Sequence, residues 1–450
     1  MTTAPLAPVA AAGRIDAIDA VRGFALLGIL CVNINTFGQA FGAYLTPLPD
    51  FASTADEVAH GFIKVFCEGK FYPLFSLLFG VGLTLQWQRA AAAGRSFTAP
   101  GLRRLAVLGV VGLVHALLLW YGDILFFYST AGLLLLLLLK AKARTLATLA
   151  AVLLGISVLF TTGLAALTTL GGSPSAAAAS AADPVPTPTG PPAVTPTPDA
   201  AAATLESDPF SHLMDALSAG KMQAGPVSPL WIEAETLAYR HGPWTQVMSF
   251  RILTYAMFVT FGIGGFWWHV AAMFLLGAAL LKAGLFTPER RHWHRRFALL
   301  GALVGLPLAV VGALLPRLLP PGTAAVASAP LLFLAGPIVS LGYLGAITLL
   351  VQTGRARALT TALTPVGRMA MTNYLTQTVV ATAIFYYWGL GLFGETTHPQ
   401  RLLITGSLFA AQVALSVLWL RHFRFGPVEW LWRAVTYLRL PPMRRDTPPA

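Results

Sequence analysis

Polar and apolar residues alternate along this chain in long blocks. Runs of about 20 nearly charge-free residues recur, each long enough as a helix to cross a hydrocarbon core of roughly 30 Å. Spans are predicted near 20–39, 71–89, 103–121, 124–140, 145–170, 264–284, 297–315, 327–351, 370–390 and 402–420, ten in all. A segment in lipid must satisfy its own backbone hydrogen bonds, so each is expected as a helix and the whole as an all-α polytopic transmembrane bundle. The opening MTTAPLAPVAAAGRIDAIDAVRG does not read as a cleaved leader, because its basic residues precede a full-length span and no A-x-A-like site follows a short one.

Between the spans the charges sort by sign. Arg89, Arg95, Arg103 and Arg104, then Lys140, Lys142 and Arg144, then Lys282 to Arg296, Arg355, Arg357 and Arg368, and everything from Arg421 onward fall on one side. Loops such as PLPDFASTADE and YGD are acidic or neutral. The positive-inside rule then puts both termini in the cytoplasm. Residues 1–171 hold helices one to five, 172–245 form an external loop, 246–425 hold helices six to ten, and 426–450 make a cytoplasmic amphipathic helix and tail. Residues 172–204 are rich in Ala, Pro and Thr and are expected to be disordered. Short interfacial helices are expected around Trp231, Glu233, Glu235 and Trp244, and the stretch 246–262, which contains Arg251, is expected to lie in the interface. A further crossing there would invert everything after it and put PERRHWHRR outside.

Composition agrees: of 450 residues 56% are hydrophobic and 11% charged, which suits an integral membrane protein. The net charge of +12 is accounted for by the basic loops, so no nucleic-acid partner is expected. The two cysteines, Cys31 and Cys67, lie in different segments and imply neither a disulfide framework nor a thiolate metal site. RRHWHRR contains an H-x-H without a third ligand at metal spacing, so no metal is expected. GIGG and GVG read as packing glycines.

Against this apolar background the ionisable residues inside spans stand out as functional candidates. His115, in VHALLLWYGDILFFY, lies about 16 Å from Arg104 along the helix, near the midplane, and its imidazole suits a general base. On a continuous helix Asp123 would sit about 12 Å and about 80° away from it, so the two are not expected to pair. Asp123 instead falls in the outer turn as a helix cap or functional carboxylate. Asn33, eleven residues after Arg22, reaches the same depth and is the expected partner of His115. Asp19 and Arg22 share a helix face at i, i+3 and are expected to pair, with Arg22 alternatively holding phosphate. Glu68 and Lys70 belong at the outer surface with His60 nearby, forming a polar mouth in which Lys70 partners Asp123, with interfacial snorkelling the structural alternative for Lys70. Asn373 and Gln377 share a face at i, i+4 and are expected to hydrogen-bond between helices or bind substrate. In GPVEWLWRAVTY, Pro427 starts a surface helix on which Glu429 pairs with Arg433 at i, i+4.

Several blocks carry a resemblance. RIDAIDAVRGFALLGILCVNI, KFYPLFSLLFGVGLTLQ, GLVHALLLWYGDILFFYSTAGLLLL, GRMAMTNYLTQTVVATAIFYYWGLGLFG and FRFGPVEWLWRAVTY resemble, in order and spacing, the YeiB-like bacterial membrane proteins, also called domain of unknown function 418. The resemblance implies a multi-pass protein of the bacterial inner (plasma) membrane without an assigned activity. DAVRGFALLGILCVN is also similar to the first helix of transmembrane acyltransferases such as the heparan-glucosaminide acetyltransferases. Three functions follow as expectations. The first is an acyltransferase moving an acyl group from a cytoplasmic acyl-CoA-type donor, with no tightly bound cofactor, to a small-molecule or cell-envelope acceptor at the outer face. His115, Asn33 and Asp123 would be catalytic, and Arg22, Asp19, Glu68, Lys70, Arg104, Arg368, Asn373 and Gln377 would bind substrate, with Arg103 also at the inner mouth. The second is a transporter of a small polar solute or proton with a midplane His/Asn site, though no inverted repeat is evident. The third is a membrane scaffold without a small-molecule site. The sequence leaves the acceptor and the oligomeric state open.

Overall fold

The computed structural model describes residues 16–45, 51–171, 208–218 and 226–445, so the stretch 172–204 expected to be disordered lies outside the described residues. The described elements are helices: α1 (Asp16–Gly38), α2 (Phe41–Leu45), α3 (Thr54–Phe62), α4 (Phe71–Ala92), α5 (Thr98–Leu118), α6 (Leu125–Leu138), α7 (Ala143–Gly171), α8 (Pro209–Ser218) and α9 (Pro229–His241). They continue as α10 (Trp244–Gly264), α11 (Phe266–Lys282), α12 (Arg291–Leu318), α13 (Pro321–Thr353), α14 (Arg357–Arg368), α15 (Ala370–Phe385), α16 (His398–His422) and α17 (Pro427–Tyr437). Each of the ten predicted spans coincides with a helix, and among the described residues seven helices are long and apolar enough by themselves to cross a membrane.

One of those seven is α10, on the stretch expected in the interface. Arg251 of α10 donates to the carbonyls of Leu117 and Leu118 at the end of α5, and Gly262 lies against Phe127 at the start of α6. The helix therefore stays beside the far ends of α5 and α6 before the chain bends at Gly265 into α11. At its other end α11 places Lys282 on the carbonyls of Leu139 and Ala141, in the α6–α7 turn. Together α10 and α11 make one net traverse, and the sidedness of later helices is not inverted.

Two faces result. The basic face collects the start of α1, the end of α4, the start of α5, the α6–α7 turn, α14, the start of α15, the end of α16 and α17. There Trp432 donates to the Arg104 carbonyl at 2.9 Å and Arg103 to the Thr436 carbonyl at 2.9 Å, so α17 closes the bundle as a surface helix. Glu429 does not serve the i, i+4 pair expected with Arg433. Its oxygens accept from the backbone N–H groups of Met371 (2.6 Å) and Thr372 (3.0 Å) and from the Thr372 hydroxyl (2.6 Å). A carboxylate on free amides at the positive end of α15 outcompetes an exposed ion pair.

Within the bundle α11 packs against α4 and α7. A Cβ at Gly80 would collide with the Phe274 carbonyl, and one at Gly277 with the Leu77 carbonyl, so α4 and α11 touch backbone to backbone. This approach sets His269 of α11 against Tyr72 of α4.

The opposite face is roofed by α2, α3, α8 and α9. Ser228 caps α9, its hydroxyl accepting from the Trp231 N–H at 3.3 Å. Glu235, fully buried on α9, accepts from the Phe41 N–H at 3.2 Å and Trp231 Nε1 at 3.2 Å, while its Oε1 has no partner among the described residues. Burial pushes the Glu235 carboxyl up to about 8 against the lowering effect of those two donors. The native state thus holds a proton the unfolded chain releases in the ordinary carboxylate range. The stability gained is full at acid pH and is lost as pH rises towards about 8. Glu235→Gln should therefore raise the thermal midpoint of the detergent-solubilised protein by at least ~3 °C at pH 8.5 and leave it nearly unchanged at pH 5; equal shifts at both pH values would mean that Glu235 is ionised throughout.

Candidate functional site

His115 and Asp123 form a direct pair, contrary to the separation expected for one continuous helix. The reason is local: α5 stops at Leu118, where Leu119 and Trp120 both donate to the His115 carbonyl at 2.9 Å, and the chain reverses through 119–124. That turn carries Asp123 back, so that its Oδ2 lies 2.9 Å from His115 Nδ1, and its Oδ1 accepts from the Phe126 N–H at 3.0 Å as a cap on α6. His115 Nε2 lies 2.9 Å from the Thr378 hydroxyl of α15. A carboxylate only accepts, so Nδ1 carries the proton and the Thr378 hydroxyl donates to Nε2. His115 is 1% exposed and Asp123 0%; both imidazole nitrogens are engaged inside the bundle. The partners expected for these two groups, Asn33 and Lys70, lie elsewhere.

Towards the basic face opens a cavity of about 220 Å³. Six guanidinium groups line it, from Arg22, Arg89, Arg104, Arg368, Arg424 and Arg433, against two carboxylates, Asp19 and Glu429. Asp19 pairs with Arg22 at 3.2 Å as the spacing predicts, and Glu429 is committed to α15. The Arg104 guanidinium lies 3.7 Å from the centroid of the Trp432 ring, and its Nε has no acceptor among the described residues. A pocket whose lining carries six guanidinium groups against two carboxylates suits a phosphate-bearing ligand. Arg103 is absent from the lining and spends its Nε on α17.

Towards the opposite face lies a larger cavity, about 510 Å³, lined by Asn33, Lys64, Glu68, Lys70, Tyr72 and His269 together with many apolar groups. Its polar edge is the segment joining α3 to α4. A π-helical turn, Ile63–Cys67, continues α3, and Gly69 at φ 77° then reverses the chain into α4. Gly69 packs so closely on Gly336 of α13 that a Cβ at Gly336 would collide with its carbonyl, and the Ser340 hydroxyl donates to the Lys70 carbonyl at 2.5 Å. Lys64 pairs with Glu68 at 2.9 Å, and the Lys70 ammonium donates to the Lys64 carbonyl at 2.8 Å, not to Asp123. Behind it His269 Nδ1 lies 2.5 Å from the Tyr72 hydroxyl, while Nε2 has no hydrogen-bond partner among the described residues. His60, expected nearby on this side, lies on α3 close enough to feel the charges of Lys64 and Glu68, with its Nδ1 3.3 Å from His398 Nε2, and His398 in turn binds Asp56 at 2.9 Å.

The two cavities meet. Ile29, Ile124 and Tyr374 line both, so a single layer of side chains separates them. The candidates therefore sort into three places. Asp19, Arg22, Arg104 and Arg368 surround the basic cavity, and Asn33, Glu68 and Lys70 surround the outer one. His115, Asp123, Asn373 and Gln377 line neither. Asn373 donates to Ser416 Oγ at 3.0 Å, and Gln377 to Gln412 Oε1 at 2.9 Å, which stitches α15 to α16 as the sequence predicts. Sequence reasoning missed His269, Tyr374 and Thr378. His269, in GFWWHVAAMF, carried the same signal as His115, an imidazole in an apolar span.

With this geometry in place, comparison with known proteins gives a family. Over 98% of this chain and 99% of the relative, the sequence is 32% identical to the uncharacterized protein YxaH of Bacillus subtilis (strain 168). It is 32% identical to the uncharacterized protein YeiB of Escherichia coli (strain K12) over 93% of this chain and 95% of the relative. Residues 280–439 match the family described as protein of unknown function (DUF418). The chain belongs to the YeiB-like DUF418 family. The relatives span both halves of the bundle, so the two-cavity arrangement falls within the shared sequence.

If the Asp123–His115–Thr378 chain is one unit, Asp123→Ala and Thr378→Val should each cost about 1–3 kcal/mol by leaving a buried nitrogen unsatisfied. The double variant should cost clearly less than the sum, because both act through His115. Unfolding titrations in mixed micelles measure this, and strict additivity would mean the contacts are independent.

Proposed function

We propose that this protein moves an acyl group from a phosphate-bearing thioester of the acyl-CoA type, held at the cytoplasmic face, to an acceptor held in the outer cavity. The observation that carries the proposal is the pair of cavities sharing the wall Ile29, Ile124 and Tyr374, with guanidinium groups on one of them alone. Donor phosphates would sit among Arg22, Arg104 and Arg368, and the positive-inside rule makes that face cytoplasmic. The thioester end would reach the septum, about 9 Å in from Arg368 along α15 at the position of Tyr374.

His269 is the base in this proposal. It lies about 20 Å from Lys282 along α11, deep in the bundle, and has Nε2 free among the described residues. With Nδ1–H donated to the Tyr72 oxygen, Nε2 accepts the proton of an acceptor hydroxyl or amine. The deprotonated oxygen or nitrogen bonds to the thioester carbonyl carbon, the carbon–sulfur bond breaks, and the leaving thiolate takes the proton from the imidazolium. Asn33 would orient the acceptor. His115, first in line for this role by sequence, holds α15 through Thr378 and so sets Tyr374, one helical turn away, in the septum. A transporter would use the same two cavities with Tyr374 as the moving partition, and that reading separates from the first on covalent chemistry.

The protein in nanodiscs is incubated with radiolabelled acetyl-CoA. Wild type should consume the donor, His269→Gln should lower kcat with KM little changed, and Arg104→Gln should raise KM about tenfold, the effect of ~1.4 kcal/mol of binding. An inert wild type whose solute uptake into vesicles depends on Tyr374 would replace acyl transfer with transport.

A further inference from the structure

The lining of the outer cavity points to its occupant. Most of the wall is aliphatic or aromatic, including Val32, Phe71, Trp120, Phe258, Leu332 and Phe333, while the charges are confined to the segment of Lys64, Glu68 and Lys70. A free sugar or other many-hydroxyl acceptor needs polar partners over most of its surface, whereas most of this wall is apolar. The charges are also unequal in what they leave open. Lys64 and Glu68 pair at 2.9 Å through one carboxylate oxygen. Lys70 is 1% exposed and has three donors, yet the described residues give it one acceptor, the Lys64 carbonyl. Two ammonium groups, Lys64 and Lys70, thus share the single carboxylate of Glu68, and the excess positive charge at this edge suits an anion from elsewhere. Next to the lining in sequence, Phe66, in the same turn as Lys64, and Leu334, beside Phe333, are exposed apolar side chains, as a rim facing lipid requires.

From this we infer that the outer cavity takes a lipid whose head carries an acidic group and a free hydroxyl or amine, entering sideways from the bilayer. The acidic group sits at Lys70, the chain runs along Leu332 and Phe333, and the hydroxyl or amine faces His269. Its role as acceptor rests on the acyl transfer proposed above; its binding does not.

Native mass spectrometry of the full chain, with phosphatidylglycerol or phosphatidylcholine added to the micelle, reads binding without chemistry. Wild type should retain phosphatidylglycerol at least fivefold over phosphatidylcholine. Lys70→Met should bring the two to parity, Lys70→Arg should keep the preference, and Leu332→Trp, which fills the cavity, should remove the adduct. Glycerol phosphate, which has the phosphate and hydroxyls without the chains, should not displace the lipid. The proposal is overturned if the preference survives Lys70→Met, if it is lost instead in Arg295→Gln/Arg296→Gln at the basic face, or if glycerol phosphate competes. A second arm adds labelled acetyl-CoA to phosphatidylglycerol nanodiscs and extracts with organic solvent. Label in the lipid phase supports the acceptor role, and label in water-soluble product alone overturns it. A Lys70-dependent adduct with no donor consumed supports the lipid site while removing acyl transfer.

Discussion

An ionisable side chain in the interior of this bundle has no water to lean on, and the pairing of His115 with Asp123 answers that constraint first. One carboxylate caps α6, fixes the imidazole tautomer and, through that imidazole, receives the Thr378 hydroxyl of α15. Three helices are thereby held in register by groups that would each be costly if left alone. The same need for satisfaction recurs in Glu429 on the start of α15, in Asn373 and Gln377 against α16, and in Arg251 on the last carbonyls of α5.

Once α15 is fixed against α5, Tyr374 has a defined place, and that place is the partition between two cavities of opposite character. The basic cavity gathers its guanidinium groups from helix ends scattered over more than four hundred residues of chain. The outer cavity gathers its polar groups from one irregular segment, where a π turn and Gly69 bring Lys64, Glu68 and Lys70 to the same edge. His269 reaches that cavity because α4 and α11 touch through Gly80 and Gly277. Site and scaffold are linked by these close contacts.

Much of the fold was legible because hydropathy over 20 residues is a strong signal and charge sorting needs no structure. Asp19 with Arg22 and the stitching by Asn373 and Gln377 were legible as well, since helical periodicity fixes who shares a face. The pairing of His115 with Asp123 was not. Spacing arguments assume a continuous helix, and nothing in LLLWYGDIL announces that α5 ends at Leu118. Glu429 escaped for a related reason: its true partners lie 57 and 58 residues away, while Arg433 is a plausible neighbour four residues on. Thr378 gave no signal, because hydroxyls in apolar helices usually bond their own backbone.

Acyl transfer through this bundle requires the basic cavity to hold a phosphate-bearing donor whose reactive end reaches Tyr374. Cryo-electron microscopy of the full chain in nanodiscs with coenzyme A tests it most directly. The account predicts density for the phosphates within hydrogen-bonding distance of Arg104 and Arg368, with the thiol end against Tyr374. Coenzyme A bound at the opposite face, or a basic cavity that stays empty at saturating ligand, would contradict it.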